Sequence, residues 1–403
     1  MCYNKQTRDR IYTYLTHILL ISQRLKMNTI QLIISGTFII SMLTGFCVIP
    51  AILNFCRKKK LYDIPDERKV HHAAIPRLGG VSFLPSMLLS AIIMLLAYES
   101  IAGVQKITLN YWTVSCIISL FIIYTIGIID DVVGLGAKTK FVFQLIAASL
   151  LPLSGLYINN LYGFLGIYEI PFYVGFPLTV LCIAFVDNAM NLIDGIDGLS
   201  AGLSVIALCG FMYGFYCIET YVYCVIIAGL MGVLLAYMYY NMFGKAEKGL
   251  KIFMGDSGSL TLGFMLSFFL IKLSMNRPDL IPDGKFQMSI FGNEMAYNSI
   301  CMTYAYTLLI VPTFDVFRVI FVRLYHHTPI FNPDKRHIHH KFLAAGLNQH
   351  QALLCILGIQ LLFIVVNGIM MPHFGITAIV CCDIIIFVVI NMAITRIINS
   401  RKA

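Results

Sequence analysis

Asp130 and Asp131 in IGIIDDVVGLGAKTKFVFQ, the group Asp187, Asn188, Asn191, Asp194 and Asp197 in FVDNAMNLIDGIDGLSAG, and Asp256 in KIFMGDSGSLTLG each stand where a long apolar run ends. Arg323 and the string NPDKRHIHHKF, with His337, His339 and His340, stand at the end of a fourth run. Asp130, Asp131, Asp194, Asp197, Asp256 and the amide of Asn191 are hard oxygen donors with no thiolate nearby, a set that favours Mg²⁺ or Mn²⁺ over zinc. Lys140, Arg323, Lys335, Arg336 and the three histidines are donors suited to phosphate oxygens. Acid, metal and a basic loop are the equipment of phosphoryl transfer. Asn188, Asn191 and Asp194 recur every three residues, so on a helical end they share one face. Gly195, Gly198, Gly255 and Gly258 let backbone approach a ligand closely.

Each feature alone has a plainer reading. Asp130-Asp131 would be a solvated helix end, Asp256-Ser257 a cap on the helix that follows, the histidines a zinc site, and the run Arg57 to Lys60 a topological anchor. The Arg57 to Lys60 run stays a topological anchor; for the acidic and histidine clusters, their conjunction on one side of a membrane decides against the plainer readings, and it rests on the elements that carry them. The chain has 403 residues, of which 59% are hydrophobic and 12% charged, with a mean hydropathy of +0.81. That excludes a soluble globular domain, disorder and a coiled coil. The 12 cysteines lie mostly inside apolar runs without regular spacing, so they read as small hydrophobes and not as a redox or zinc framework.

Runs long enough to span a bilayer lie near 30 to 55, 79 to 98, 109 to 129, 140 to 158, 172 to 187, 200 to 217, 222 to 243, 257 to 273, 299 to 322, 351 to 371 and 375 to 395. The expected fold is therefore all-α: a polytopic integral membrane protein of about eleven transmembrane helices. Of the 29 Lys and Arg, 20 fall in loops after odd-numbered spans, at the end of span 9 or in the C-terminal tail, and only Lys106, Lys272, Arg277 and Lys285 follow even-numbered ones. The positive-inside rule puts the odd loops, with every acidic and basic cluster above, in the cytoplasm. Residues 1–27 carry the remaining basic residues, against the rule, and read as an N-terminal extension; Met27 is a candidate start, and an amphipathic interfacial segment is the alternative. Residues 28–403 read as one membrane-embedded domain. The long outside loop, about Ser274 to Ser299, holds no recognisable motif, and spans 10 and 11 add none.

DDVVGLGAKTKFVFQ, NAMNLIDGIDGLSAG, FMGDSGSLTLG and PDKRHIHH, in this order and preceded by DIPDERKVHHAAIPRLGG, resemble the polyprenyl-phosphate N-acetylhexosamine-1-phosphate transferase family over about residues 28 to 350. Within it, HIHH after PDKR looks like the branch that uses UDP-N-acetylglucosamine; the three-histidine run of the muramoyl-pentapeptide branch is absent. The resemblance implies that Asp256 and Asn191 bind Mg²⁺ on the donor diphosphate and that Lys140 and Arg323 contact phosphate. It implies that Asp197 lies near the uridine, and that His337, His339 and His340 close over the sugar phosphates. Asp130 and Asp131 match an acidic pair that activates the lipid phosphate or belongs to the metal site, and Asp194 joins them as a catalytic candidate. The implied partners are a UDP-N-acetylhexosamine and a polyprenyl phosphate in a bacterial plasma membrane, without nucleic acid; a homodimer is admitted. The implied reaction moves sugar 1-phosphate, most simply GlcNAc-1-phosphate, to the lipid and releases UMP. The alternatives are another UDP-N-acetyl sugar, UDP-MurNAc-pentapeptide, a lipid phosphatase or, remotely, a secondary transporter of an anion.

Overall fold

The computed structural model describes residues 2–63, 74–102, 110–277, 285–329 and 335–402, with side chains in 2–26, 101–102 and at 402 left aside. Residues 64 to 73 of the first motif, Lys106, the Asp283 region and the Asn332 to Asp334 part of the basic loop lie outside them. The chain is helical, as expected, because backbone polar groups in hydrocarbon must be satisfied within the segment. Thirteen helices are described: α1 (Cys2–Lys59), α2 (Phe83–Ala102), α3 (Tyr111–Val133), α4 (Ala137–Leu153), α5 (Phe172–Ile193), α6 (Leu199–Cys217), α7 (Tyr221–Met238), α8 (Gly255–Ser274), α9 (Tyr297–Thr307), α10 (Ile310–Tyr325), α11 (Ile338–Ala344), α12 (Gln349–Met370) and α13 (Ile376–Lys402).

Among the described residues, nine helical segments are long and apolar enough to cross a bilayer, the first being Met27–Lys59. The pair α9 and α10, bent by 60° at a short break, brings the number to ten if it is counted as one broken span. The remaining expected span is α4, whose 17 residues sit at the lower limit for a spanning helix. The bend has a cause in the sequence: Pro312 offers no N–H and its ring crowds the carbonyl of Leu308, at the break.

Among the described residues, three two-stranded antiparallel sheets interrupt the helical pattern. One joins β1 (Tyr62–Asp63) to β2 (Ile75–Pro76), beside the acidic end of the bundle. β3 (Asn160–Phe164) with β4 (Ile167–Glu169) lies between α4 and α5, and β5 (Gln287–Ile290) with β6 (Asn293–Ala296) between α8 and α9. The last two lie at the opposite end, and β5 with β6 falls in the loop in which the sequence showed no recognisable motif.

The axis of the bundle is α8, which packs on α3, α5 and α6 and is buried along nearly its whole length. Its first turn is built from small residues for a steric reason. A Cβ on Gly80 would lie 2.1 Å from the Cα of Gly258, so the turn before α2 and the start of α8 touch backbone to backbone. This contact fixes the depth at which Asp256 enters the site.

Candidate active site

The C-terminal ends of α3, α5 and α10 and the N-terminal ends of α4 and α8 converge at one end of the bundle, and there the polar side chains meet. Asp131, at the end of α3, is 4% exposed, and both of its carboxylate oxygens are used. Oδ1 accepts the backbone N–H of Asp256 at 2.8 Å and Oδ2 that of Ser257 at 2.9 Å, the orphan donors of the first turn of α8. Gly255 precedes them at φ +71°, and a Cβ there would sit 2.5 Å from Asp131, so only glycine admits the carboxylate. The carbonyl of Asp131 accepts Nε of Arg77 at 2.8 Å.

Asp130 is oriented differently. Its Oδ1 accepts the N–H of Leu135, and its Oδ2 pairs with Nζ of Lys140 at 3.2 Å. The same ammonium is paired with Oδ2 of Asp256, so Lys140, one turn into α4, bridges the acids of α3 and α8. Oδ1 of Asp256 accepts Nδ2 of Asn191 at 2.8 Å, and that amide also reaches Ser259 Oγ at 2.8 Å.

Asp194 closes α5, just beyond the span. Burial, then the neighbouring Asp197, Asp256 and Asp131 carboxylates, push its pKa up to about 7. Asp197 pairs with Lys251 at 2.5 Å. Asn241 lies in a π-helical turn, Tyr239–Phe243, that extends α7. It accepts the N–H of Gly198 at 2.7 Å and donates to the carbonyl of Ile252 at 3.0 Å, tying the Asp197 loop to the segment before α8. π-Turns of this kind are frequent at functional sites.

The basic loop returns over this end. His337 is 5% exposed; its Nδ1 lies 2.8 Å from Oδ2 of Asp315, whose Oδ1 accepts the N–H of Ile338 at 3.0 Å and Arg318 at 2.7 Å. Asp315 therefore anchors the loop to α10. His339 packs on Gly195, where a Cβ would meet its ring at 2.1 Å. Burial and then His340 push its pKa down to about 3, so it acts as a neutral ring.

Two cavities open at this end. One, of about 750 Å³, is lined by Asp131, Asn191, Asp194, Asp197, Asp256 and His340, with Arg77, Asn241, Lys251 and Ser259. The other, of about 1140 Å³, is an apolar groove between α5 and α10, lined by Leu178, Leu181, Phe185, Phe314 and Phe317; Lys140, Arg323, His337 and His339 line its polar mouth. Asn191, Asp194, Gly195 and His340 belong to both. Of the site candidates singled out by sequence, Asp130, Lys335 and Arg336 line neither cavity, and Asp130 acts on the junction through Lys140. Asp187 also lies apart: fully buried, it accepts Gln144 Nε2 at 3.0 Å.

Asp315, Asn241, Lys251 and Ser259 were not picked out by sequence. Asp315 left a usable signal, a carboxylate inside a span with Arg318 and Arg323 following on the same helix; Asn241 left none.

The polar cavity suits a divalent cation. Its carboxylates outnumber its cations and no thiolate lines it. Among the described residues no three His, Cys, Asp or Glu side chains close into a metal cage, the situation of an ion that takes one or two carboxylates and completes its shell with substrate phosphates.

An acidic cavity meeting an apolar groove at one end of a helical bundle suits a membrane-embedded transferase. The sequence model of glycosyl transferase family 4 matches residues 112–274. A probable undecaprenyl-phosphate N-acetylglucosaminyl 1-phosphate transferase of Bacillus subtilis is 31% identical over 380 residues, 90% of this chain and 92% of the relative. The decaprenyl-phosphate N-acetylglucosaminephosphotransferase of Mycolicibacterium smegmatis is 31% identical over 304 residues, 72% of this chain and 71% of its own. The undecaprenyl-phosphate alpha-N-acetylglucosaminyl 1-phosphate transferase of Escherichia coli K12 is 26% identical over 310 residues, 74% of each. The chain belongs to glycosyl transferase family 4.

Proposed function

We propose that the protein transfers N-acetylglucosamine 1-phosphate from UDP-N-acetylglucosamine to a polyprenyl phosphate and releases UMP, with Mg²⁺ as cofactor, at the cytoplasmic face of a bacterial plasma membrane. The observation that carries this reading is the junction of the two cavities: a polar space for a nucleotide diphosphate and an apolar groove for a lipid tail share Asn191, Asp194, Gly195 and His340. A transfer between a water-soluble and a lipid substrate needs that contact, and the names of the relatives describe such a transfer. The cytoplasmic assignment rests on the asymmetry of basic residues.

In the reaction an oxygen of the lipid phosphate bonds to the β-phosphorus, the bond from that phosphorus to the bridging oxygen breaks, and UMP leaves with the electron pair. Catalysis of this kind is mostly positioning and charge neutralisation. Asp256 and Asn191, with Asp194 beside them, would hold Mg²⁺, which when bound offsets negative charge on the diphosphate. Lys140 stands between cavity and groove, where its ammonium meets the phosphates of both substrates once they displace its contacts to Asp130 and Asp256. Arg323 and His337 line the groove mouth, where the lipid phosphate enters. Asp131 is committed to the amides of α8 and so holds Asp256 in place. Asp130 orients Lys140.

Purified protein supplied with Mg²⁺, undecaprenyl phosphate and UDP-N-acetylglucosamine should release UMP and form a lipid diphosphate sugar. UMP release only with UDP-N-acetylgalactosamine or UDP-MurNAc-pentapeptide would move the sugar assignment. No release with any UDP-sugar would overturn the reading.

A further inference from the structure

Far from the carboxylates, a second polar cluster is buried in the span region between α9, α12 and α13. Gln360, Asn367 and Asp383 are each fully buried. In an unbroken helix the N–H of Val311 would donate to the carbonyl of Thr307, and the 60° bend between α9 and α10 removes that bond. The side-chain amide of Gln360 replaces it, accepting the N–H of Val311 at 3.2 Å and donating to the carbonyl of Thr307 at 2.8 Å. Asn367, seven residues on and so on the same face of α12, donates to Thr307 Oγ1 at 2.9 Å and to Asp383 Oδ2 at 3.0 Å. Tyr306 donates its hydroxyl to Asp383. A buried carboxylate and two amides in a spanning region are costly to keep, and here they all converge on one helix break.

That break lies in the wall of the apolar groove. Met302, Tyr306, Leu309 and Thr313 line it, and by the helical rise Ile310, at the break, is roughly 20 Å along α10 from Arg323 at the groove mouth. Building on the function proposed above, we infer that Gln360, Asn367 and Asp383 are positioning residues for the lipid acceptor: they hold the bend of α9 and α10, and with it the far wall of the groove against which the tail lies. None of the three lines the groove, so they act through Tyr306 and the backbone of Thr307 and Val311.

The inference separates tail recognition from chemistry at the mouth. Gln360→Met keeps volume but loses both hydrogen bonds; Tyr306→Phe keeps the ring but loses the contact to Asp383; Asp383→Asn keeps an acceptor for Tyr306. UMP release is measured on each full-length variant with undecaprenyl phosphate and with a short-chain polyprenyl phosphate whose tail ends well before the break. Gln360→Met should raise KM for the long lipid about ten-fold while leaving KM for the short lipid, KM for UDP-N-acetylglucosamine and kcat near wild type. Tyr306→Phe should follow it in smaller measure, and Asp383→Asn should stay close to wild type. Activity on the short lipid reports that each variant is folded. If Gln360→Met and Tyr306→Phe lower thermal stability but change KM equally for both lipids, or for neither, the cluster only stabilises the fold and the inference is wrong. If Gln360→Met fails to fold, Tyr306→Phe alone decides between those outcomes. Wild-type protein that transfers to neither lipid would overturn the proposed function and this inference together.

Discussion

Asp131→Asn separates a residue that holds the site from one that acts on substrate. The buried carboxylate of Asp131 accepts the amides of Asp256 and Ser257 at 2.8 and 2.9 Å, so an asparagine keeps one acceptor and turns an NH₂ toward the other N–H. Losing a hydrogen bond to a charged group costs about 1.5 to 3 kcal/mol. Losing the negative charge at the N-terminus of α8 adds about 0.3 to 1 kcal/mol. A total of about 2 to 4 kcal/mol is a large part of the stability of a typical domain. Gly80 and Gly258 touch backbone to backbone, so the first turn of α8 has little room to relax, and the disturbance falls on Asp256. If half of the cost appears as misplacement of that carboxylate, turnover drops by about ten-fold or somewhat more. The expected result is a lower melting temperature in detergent, faster amide exchange at Asp256 and Ser257, and reduced kcat with little change in either KM. The assay pairs UMP release with hydrogen-exchange mass spectrometry. Wild-type melting and exchange combined with abolished turnover would refute the reasoning, because the carboxylate would then be acting on the substrate and not on α8.

Asp256→Asn should lower turnover by two or more orders of magnitude, about 3 kcal/mol, in a chain that still folds; near-normal UMP release at low Mg²⁺ would remove Asp256 from the metal site. Arg323→Ala should raise KM for a substrate or lower turnover by about ten-fold or more, from the loss of a charge-assisted contact of about 1.5 to 3 kcal/mol, and unchanged kinetics would count against its place at the groove mouth. Asp194 gives a pH signature: its carboxyl is raised from 3.8 to about 7 in the folded chain, so the folded state holds the proton more tightly than the unfolded one and stability declines as pH rises from about 4 through 7. In metal-free buffer the melting temperature should fall across that window, Asp194→Asn should flatten the fall, and a wild-type profile level from about pH 4 to 7 would exclude the effect.

The sequence exposed the acidic clusters because a carboxylate at the end of an apolar run is conspicuous whatever the tertiary structure. The parity of those runs was enough to place the clusters at one end of the bundle. The division of labour within the Asp130-Asp131 pair was not visible, because it depends on contacts across 125 residues of chain between α3 and α8, set by the approach of Gly80 to Gly258. Adjacent residues on a helix point about 100° apart, so Asp131 turns inward to cap α8 while Asp130 turns toward Lys140. Asn241 was hidden for a related reason: a single amide gains its meaning only from a π-turn that aims it at the Gly198 loop. The reading of the last two spans as empty of motif overlooked a periodicity that was available, since Gln360 and Asn367 are seven residues apart on otherwise apolar α12, opposite Asp383 on α13. A motif search looks for residues that touch substrate, and these residues touch a helix break instead. Pro312 explains why the ninth crossing bends, yet proline leaves only an unmet carbonyl and does not supply the partners that a stable bend in hydrocarbon requires. Those partners had to come from another helix, and the polar side chains of α12 and α13 are where the fold supplied them.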